Sequence, residues 1–260
     1  MYKHIALIDK PSGITSMECV EVVKRYFKAK KAGHSGTLDP KVTGLMLVAL
    51  DEAVKAIPFL MGLDKEYTGT MHLHKDVEKQ KLLDAFKKFT GEIVQIPPVR
   101  SAVARKPRKR VIYTLELIEK QGKDVLFKVK CEAGTYIRKL CSDIGEYLGC
   151  GAHMKSLRRT AIDGFSVEES YTLDSLNADA LIYLEDALER VGIKKIFVKA
   201  ESIKGIKNGL PVRENDIESI TGKLKKGEKV GIFLEKNIIA IGEVVLRNNL
   251  IAKTDRVFNI

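Results

Sequence analysis

The sequence has few cysteines and no long apolar run, and both shortages restrict where the protein works. Its four cysteines contain no Cys-x-x-Cys pair: Cys19, Cys131, Cys141 and Cys150. We therefore expect reduced core thiols in a cytoplasmic protein. No apolar stretch approaches the length of a membrane span, and no charged, apolar and small-residue signal opens the chain, so neither membrane insertion nor export is expected.

Acidic residues are also in deficit. The 260 residues include 45 Lys and Arg against 34 Asp and Glu, a net charge of +11 and a pI near 9.3. Such an excess favours a polyanionic partner, most simply nucleic acid. A well-solvated surface would give the same total, so charge alone does not decide the function. The hydrophobic content of 45% is ordinary for a globular protein long enough for one large and one small domain.

Residues 31–44 form the most informative stretch. Three glycines, one proline and small polar residues predict a loop. Asp39 is its single carboxylate, and the flanking lysines would attract an anionic polymer. Asp-Pro is also a common turn dipeptide in which the aspartate only bonds its own backbone. A serine-hydrolase elbow is excluded because G-x-S-x-G requires glycine where Thr37 stands.

This stretch reads G-H-S-G-T-L-D-P-K-V-T-G from Gly33, and it closely resembles the catalytic loop of the tRNA pseudouridine-55 synthase/dyskerin family of pseudouridine synthases. Further segments resemble other motifs of that family: K-P-S-G-I-T-S from Lys10, G-T-Y-I-R-K-L-C-S-D-I-G from Gly134, and G-A-H-M-K-S-L-R-R from Gly151. The resemblance implies that Asp39 is the catalytic nucleophile or base.

The same resemblance implies roles for the surrounding site. Arg138 would pair with Asp39, and Tyr67 would stack on the target base. The remaining expected supporting and base-pocket residues are Tyr136, Leu157, Lys10 and His34. An arginine at a helix start opposes the helix dipole, which independently favours an acidic partner for Arg138. Without the resemblance, Tyr67 would be interpreted as a core tyrosine and Lys10 as a surface lysine.

A basic run at residues 100–110 contains six Lys or Arg and no acid. Pro107 would keep this run extended between two strands, where it would suit phosphate contacts. The run also resembles a mobile loop that covers RNA in members of the family. A solvated loop is the alternative. Two later arginines are expected to support the site or contact RNA. The predicted RNA-binding residues are Arg100, Arg105, Lys106, Arg108, Lys109, Arg110, Arg158 and Arg159.

Periodicity predicts an α+β fold, with a mixed, mainly antiparallel β-sheet flanked by helices, in a catalytic domain at residues 1–190. Apolar runs and alternation predict strands at 5–8, 45–50, 65–74 and 124–131. Helical spacing and caps predict helices starting near Thr15, at 81–89, at 137–148, and from 172 to 192. Short strands between turns predict a small β-barrel at residues 191–260, which resembles a PUA RNA-binding domain.

The predicted function is conversion of uridine to pseudouridine in RNA. The resemblance leaves two settings open: tRNA alone, or rRNA as the catalytic subunit of an H/ACA guide ribonucleoprotein with small partner proteins. A non-catalytic RNA-binding scaffold is the alternative, but it gives no reason to bring Asp39, Tyr67 and Arg138 together. No cofactor or metal is expected. His72 and His74 share a strand face without a third ligand, so ordinary strand histidines are the better interpretation.

Overall fold

A computed structural model describes residues 2–96 and 106–259, so Arg100 and Arg105 lie outside the described residues. A large sheet contains the strands β1 (Lys3–Lys10), β2 (Ala32–His34), β3 (Thr43–Asp51), β4 (Lys65–Leu73), β5 (Gly91–Gln95), β6 (Arg108–Gln121), β7 (Asp124–Cys131), β8 (Ala152–Ile162), β9 (Phe165–Ser166) and β10 (Leu181–Tyr183). Their order in the sheet is β10-β1-β3-β8-β4-β7-β6-β5, with β2 added to β3 and β9 to β8.

The sheet is mixed and mainly antiparallel, which confirms the predicted class. The pairing of β3 with β8 is parallel, and it joins Thr43 to Arg158 and Gly44 to Arg159. Gly44 has φ +106°, and a Cβ there would lie 2.2 Å from the Arg159 carbonyl oxygen. Glycine is therefore required where the two halves of the sheet approach.

The central strands follow their sequence patterns. β3 is an unbroken apolar run because both of its faces are covered by core residues. β7 buries Val125, Phe127, Val129 and Cys131 and presents the alternate residues outward. The four strands predicted from these patterns are confirmed.

Helices cover the sheet: α1 (Ser16–Tyr26), α2 (Ile57–Met61), α3 (Lys79–Phe89), α4 (Ile137–Tyr147) and α5 (Leu184–Arg190). The capping box predicted at Thr15 is present, because the Glu18 backbone N–H donates to the Thr15 hydroxyl at 3.1 Å and the Thr15 N–H donates to the Glu18 carboxylate at 2.7 Å. Tyr26 and Tyr147, the last residues of α1 and α4, are 51% and 56% exposed.

The predicted helix from 172 to 192 is wrong. Two short 3₁₀ turns come first, followed by β10 and then α5. The Asp179 backbone N–H donates to the Asn177 side chain at 2.7 Å, which stabilises a turn. Residues 181–183 pair with His4–Ala6 at the sheet edge. Sheet hydrogen bonding therefore overrides the helical spacing of the leucines.

The C-terminal part contains β11 (Lys194–Val198), α6 (Ile203–Lys207), β12 (Val212–Arg213), β13 (Ile217–Ile220), β14 (Lys229–Leu234), β15 (Asn237–Arg247) and β16 (Leu250–Val257). The six strands form a second, curled sheet in the order β12-β16-β15-β14-β11-β13. Phe233 and Phe258 from this part share a core with Ile5 and Phe165. In the described ranges, no helix is long and apolar enough to cross a membrane.

Candidate active site

Asp39 lies on the connection between β2 and β3. Part of the predicted loop is strand, because residues 32–34 form β2 and β3 begins at Thr43. Ser16, buried at the first position of α1, fixes the connection: its hydroxyl donates to the Leu38 carbonyl at 2.9 Å and accepts from the Leu38 N–H at 2.8 Å. The residue before Asp39 is therefore bonded to the helix through both backbone groups.

Lys10 supports the same connection from the end of β1. Its ammonium is fully buried and donates to the carbonyls of Pro11 and Ile14, both at 2.8 Å, and of Pro40 at 3.3 Å. Pro40 directly follows Asp39. Burial lowers the pKa of Lys10 from its usual value. The position agrees with the expected supporting role, and the neutral carbonyls provide hydrogen bonds without a buried counter-charge.

Arg159 is a second buried cation, only 1% exposed. Its Nε donates to the Leu45 carbonyl at 2.6 Å and its Nη2 to the Gly36 carbonyl at 3.0 Å. The predicted RNA contact by Arg159 is therefore contradicted, because the guanidinium lies under the Asp39 connection and not on the surface. Its bonds fit the alternative that this arginine supports the site. Adjacent residues of a strand point to opposite faces, which separates it from Arg158.

Arg158 is partly exposed and pairs with Asp9. Its Nη1 and Nη2 donate to the two carboxylate oxygens at 2.9 and 2.7 Å. Such a fork-to-carboxylate pair fixes both side chains. The guanidinium keeps 42% side-chain exposure, so it remains accessible to RNA, but the ion pair already occupies two of its donors.

Asp39 and Arg138 form an ion pair between the Asp39 Oδ2 and the Arg138 Nη2. Arg138 is the second residue of α4, so the pair joins this helix to the β2–β3 connection. The side chains are 46% and 52% exposed. The structure thus has the predicted pairing and leaves the carboxylate open to a large substrate.

Tyr67 of β4 lies in the core that flanks the pair. It is 9% exposed and belongs to one cluster with Leu38, Val42 and Ile137, which border Asp39 and Arg138 in sequence. Burial raises the pKa of Tyr67, with Arg159 partly opposing the shift, so its phenol stays protonated at neutral pH.

Leu157 and Tyr136 approach the same region from β8 and from the start of α4. Leu157 packs against the cluster that contains Tyr67, opposite Gly69 of β4. A Cβ on Gly69 would lie 2.8 Å from the Leu157 Cδ1, so the glycine makes room for the leucine. Tyr136 is the N-cap residue of α4 and is partly buried.

His34 ends β2 near the Asp39 connection. Its Nδ1 accepts the Gly36 backbone N–H at 3.2 Å. Burial, and then the charge of Arg159, lower the pKa of His34 below its usual value. The imidazole is therefore neutral at pH 7, and it supports the backbone turn that leads to Asp39.

The described part of the basic run is largely strand, which corrects the prediction of a loop. Arg108, Lys109 and Arg110 begin β6 and pair with β5. Lys109 bonds Glu92 at 2.9 Å and Lys106 is exposed. Arg110 is 20% exposed, donates to the Lys109 carbonyl and faces Glu132, so it is poorly placed for phosphate. We call Lys106, Arg108 and Lys109 the basic hairpin.

Sequence reasoning missed two polar residues, Ser16 and Gln95. Gln95 is 2% exposed and bonds both backbone groups of Tyr136. The capping box at Thr15 could have drawn attention to Ser16 beside it. No sequence pattern around Gln95, which lies between Val94 and Ile96, predicts a role in the site.

The histidines cluster on one sheet surface without forming a metal centre. The His74 Nε2 and the His153 Nδ1 lie 3.0 Å apart, and the His72 Nδ1 lies 2.5 Å from Asp124. In residues 2–96 and 106–259, no group of three or more His, Cys, Asp or Glu is arranged to hold a metal ion.

Comparison with protein-family models matches residues 24–137 to the N-terminal domain of TruB family pseudouridylate synthases. Residues 138–202 match the C-terminal domain of tRNA pseudouridylate synthase B. This chain belongs to the TruB family. It is therefore a pseudouridine synthase, an isomerase that acts on RNA.

Archaeal proteins are among the curated relatives of this TruB family member. A probable tRNA pseudouridine synthase B of Methanocaldococcus jannaschii is 42% identical over 97% of this chain and 79% of the relative. One from Pyrococcus horikoshii is 41% identical over 92% of this chain and 76% of the relative.

Solved structures agree over nearly the whole chain. A Cbf5–Nop10–Gar1 complex contains a chain with a TM-score of 0.89 and 36% identity, covering 99% of this chain and 85% of that one. An H/ACA ribonucleoprotein bound to a substrate RNA containing 2′-deoxyuridine gives a TM-score of 0.85 and 34% identity, covering 99% and 86%.

Proposed function

We propose that Asp39 is the carboxylate that reacts with the target uridine. In the isomerisation the bond from C1′ to N1 breaks and a bond from C1′ to C5 forms. C5 loses its proton and N1 gains one, so no cofactor or metal is required. The observation that carries the proposal is the accessible Asp39–Arg138 pair on a connection fixed by Ser16, Lys10 and Arg159.

The base must leave its stack to reach this pair, because the reacting atoms are inaccessible inside a helix. We propose that Tyr67 stacks on the extruded uracil, and that Leu157 and Tyr136 complete the pocket. Tyr67 and Leu157 belong to one core cluster, and Tyr136 begins the helix that carries Arg138, which supports these roles. Three routes remain open for Asp39: attack on the sugar, attack on the base, or removal of a sugar proton.

We propose two substrates for the same site. The archaeal relatives carry names that specify tRNA, which supports pseudouridine-55 formation in tRNA. The structural neighbours are parts of H/ACA complexes, which supports guided modification of rRNA with a guide RNA and proteins like Nop10 and Gar1. In both settings residues 191–260 would act as a PUA-like RNA-binding domain beside a catalytic domain at 1–190, in the cytoplasm.

A release assay separates these substrates. A tRNA transcript is labelled with tritium at C5 of uracil, and the label enters water only when the C5–H bond is replaced. Release by the chain alone would identify a tRNA enzyme. Release that requires guide RNA and the partner proteins, from a matching rRNA fragment, would identify the guided activity. No release under either condition would leave the RNA-binding scaffold as the function.

The role of Asp39 is tested in the same assay. Asp39→Asn keeps the shape but removes the reacting charge, so tritium release should fall to background while RNA affinity remains near that of the wild type. Asp174→Asn, at an exposed position outside the site, is the matched control and should remain active. Turnover of Asp39→Asn at the wild-type rate would refute the mechanism.

A further inference from the structure

Gln95 connects two elements that are distant in sequence. It is the last residue of β5 and is 2% exposed. Its Oε1 accepts the Tyr136 backbone N–H at 3.0 Å, and its Nε2 donates to the Tyr136 carbonyl at 3.2 Å. One amide side chain thus satisfies both backbone groups of a single residue 41 positions away.

Tyr136 is the residue at which α4 begins. Its carbonyl also accepts the Leu140 N–H at 3.0 Å, the bond that closes the first helical turn. The side chain of Tyr136 makes no capping hydrogen bond to the helix. Arg138 lies two residues further on, within this first turn. Gln95 therefore holds the backbone at the start of the turn that carries Arg138.

We propose that Gln95 is a positioning residue for the Arg138–Asp39 pair. This inference rests on the proposed catalytic role of that pair. Gln95 acts through the backbone of Tyr136, which it holds by a donor and an acceptor at once. It fixes the start of α4 relative to the sheet, so that Arg138 meets Asp39 in one geometry.

The effect on the reaction should be larger than the effect on the fold. Misplacement of a reacting group by about 1 Å can cost roughly a hundredfold in rate. Gln95→Met keeps a similar volume and removes both hydrogen bonds. We expect tritium release per bound RNA to fall between tenfold and a hundredfold, with less than a twofold change in RNA dissociation constant. Gln121→Met, at the exposed end of β6, is the matched control and should leave both values unchanged.

A double-mutant cycle separates positioning from a purely structural role. If Gln95 acts through Arg138, Gln95→Met should cost little further rate in an Arg138→Met background, because the group that it positions is already absent. Independent losses that multiply would overturn the proposal. Gln95→Glu retains the acceptor for the Tyr136 N–H, and its protonated carboxyl can also donate to the Tyr136 carbonyl, so at acidic pH it should lose less rate than Gln95→Met, relative to the wild type at the same pH, and lose more as the carboxyl ionises. It also provides the test if the methionine variant does not fold.

Two outcomes distinguish the role of the Arg138–Asp39 pair from the role of Gln95. If Arg138→Met retains full turnover, the proposed role of the ion pair is wrong. If Arg138→Met is impaired but folded Gln95→Met turns over at the wild-type rate, the pair is functional and the inference about Gln95 alone is refuted.

Discussion

The buried cations near the active site and the cations of the basic hairpin are the same residue types, but they differ in solvent exposure. Lys10, Lys65 and Arg159 are 0%, 6% and 1% exposed, and their hydrogen bonds go to backbone carbonyls. Lys106 and Lys109 are exposed to solvent. Both groups contribute equally to the net charge of +11. The total charge therefore overstates the charge available to RNA.

Lys10 and Arg159 bond backbone carbonyls of the Asp39 connection, whereas Lys65 bonds the carbonyls of Met61 and Leu63. A buried cation costs solvation free energy unless polar groups replace the water, and backbone carbonyls do so here. Burial lowers the pKa of Lys65 to about 8, with Arg159 adding to the shift. Such cations hold carbonyls at fixed positions, whereas the hairpin cations lie at the surface, where Lys109 pairs with Glu92.

Arg159→Met should give the largest loss of stability. It leaves the Leu45 and Gly36 carbonyls without their donor, and each unsatisfied buried group costs about 1–3 kcal/mol, so we expect about 4 kcal/mol in total. Arg158→Met removes only a partly exposed ion pair and should cost about 1 kcal/mol or less. Urea unfolding of both variants measures the difference. Equal losses would contradict the contrast between neighbouring arginines.

Lys10→Met should come next. Three carbonyls lose a donor, but the desolvation cost of the buried ammonium also disappears, so we expect a loss of about 3 kcal/mol. Turnover should fall as well, because Pro40 is no longer fixed beside Asp39. Lys88→Met, at an exposed position of α3, is the control in the same unfolding and tritium-release measurements. Unfolding of Lys10→Met at the control's denaturant midpoint would show that the buried lysine is dispensable.

Lys65 should produce an effect on stability that depends on pH. Its folded pKa of about 8 lies below the ordinary 10.5, so between these values the unfolded chain binds more protons. The free energy of unfolding of the wild type should therefore rise with pH relative to Lys65→Met, by at most about 1.4 kcal/mol per pH unit. Denaturant titrations from pH 7 to 10.5 measure this. A constant difference across that range would contradict the burial effect.

The basic hairpin should have the smallest effect on stability and a clear effect on RNA. Changing Lys106, Arg108 and Lys109 to glutamine should leave unfolding almost unchanged. The slope of log affinity against log salt should decrease by about 2, at about 0.7 per lost phosphate contact with single-stranded RNA. Glutamine at Lys79, Lys81 and Lys87, exposed on α3, removes equal charge elsewhere. Equal slopes in the two triple variants would exclude a specific RNA contact by the hairpin.

Local patterns predicted four strands of the large sheet, β1, β3, β4 and β7, and the start of α1. The apolar run of β3, the alternation of β7 and the capping box of α1 each depend on interactions within a few residues, which sequence records directly. The helix predicted from 172 to 192 was wrong because pairing with β1 is a distant interaction. The leucine spacing there contains no sign of that partner.

Site residues that lie in a sequence motif could be predicted. Site residues that only the tertiary structure brings to the site could not. The Asp39–Arg138 pairing followed from two motifs a hundred residues apart. The burial of Arg159 beside the half-exposed Arg158 depends on which strand face meets the Asp39 connection. Gln95 depends on a hydrogen bond to a helix start that no local pattern indicates. Whether Asp39, Tyr67 and Leu157 have their expected roles stays a prediction for the assays above.

The short parallel junction between β3 and β8 has a consequence for thermal inactivation. Asp39 belongs to the half of the sheet that contains β1 and β3, and Arg138 packs on the half that contains β8 and β4. Two residue pairs, the Arg159 guanidinium and the Arg158–Asp9 ion pair join the halves at this point, and two core clusters also span them. Because the β3–β8 register consists of two residue pairs, a small shift there would move the two charges apart before the longer strand pairings within each half are lost. On heating, the enzyme should therefore lose activity before it unfolds, and amide hydrogen exchange should rise first at the junction of β3 and β8.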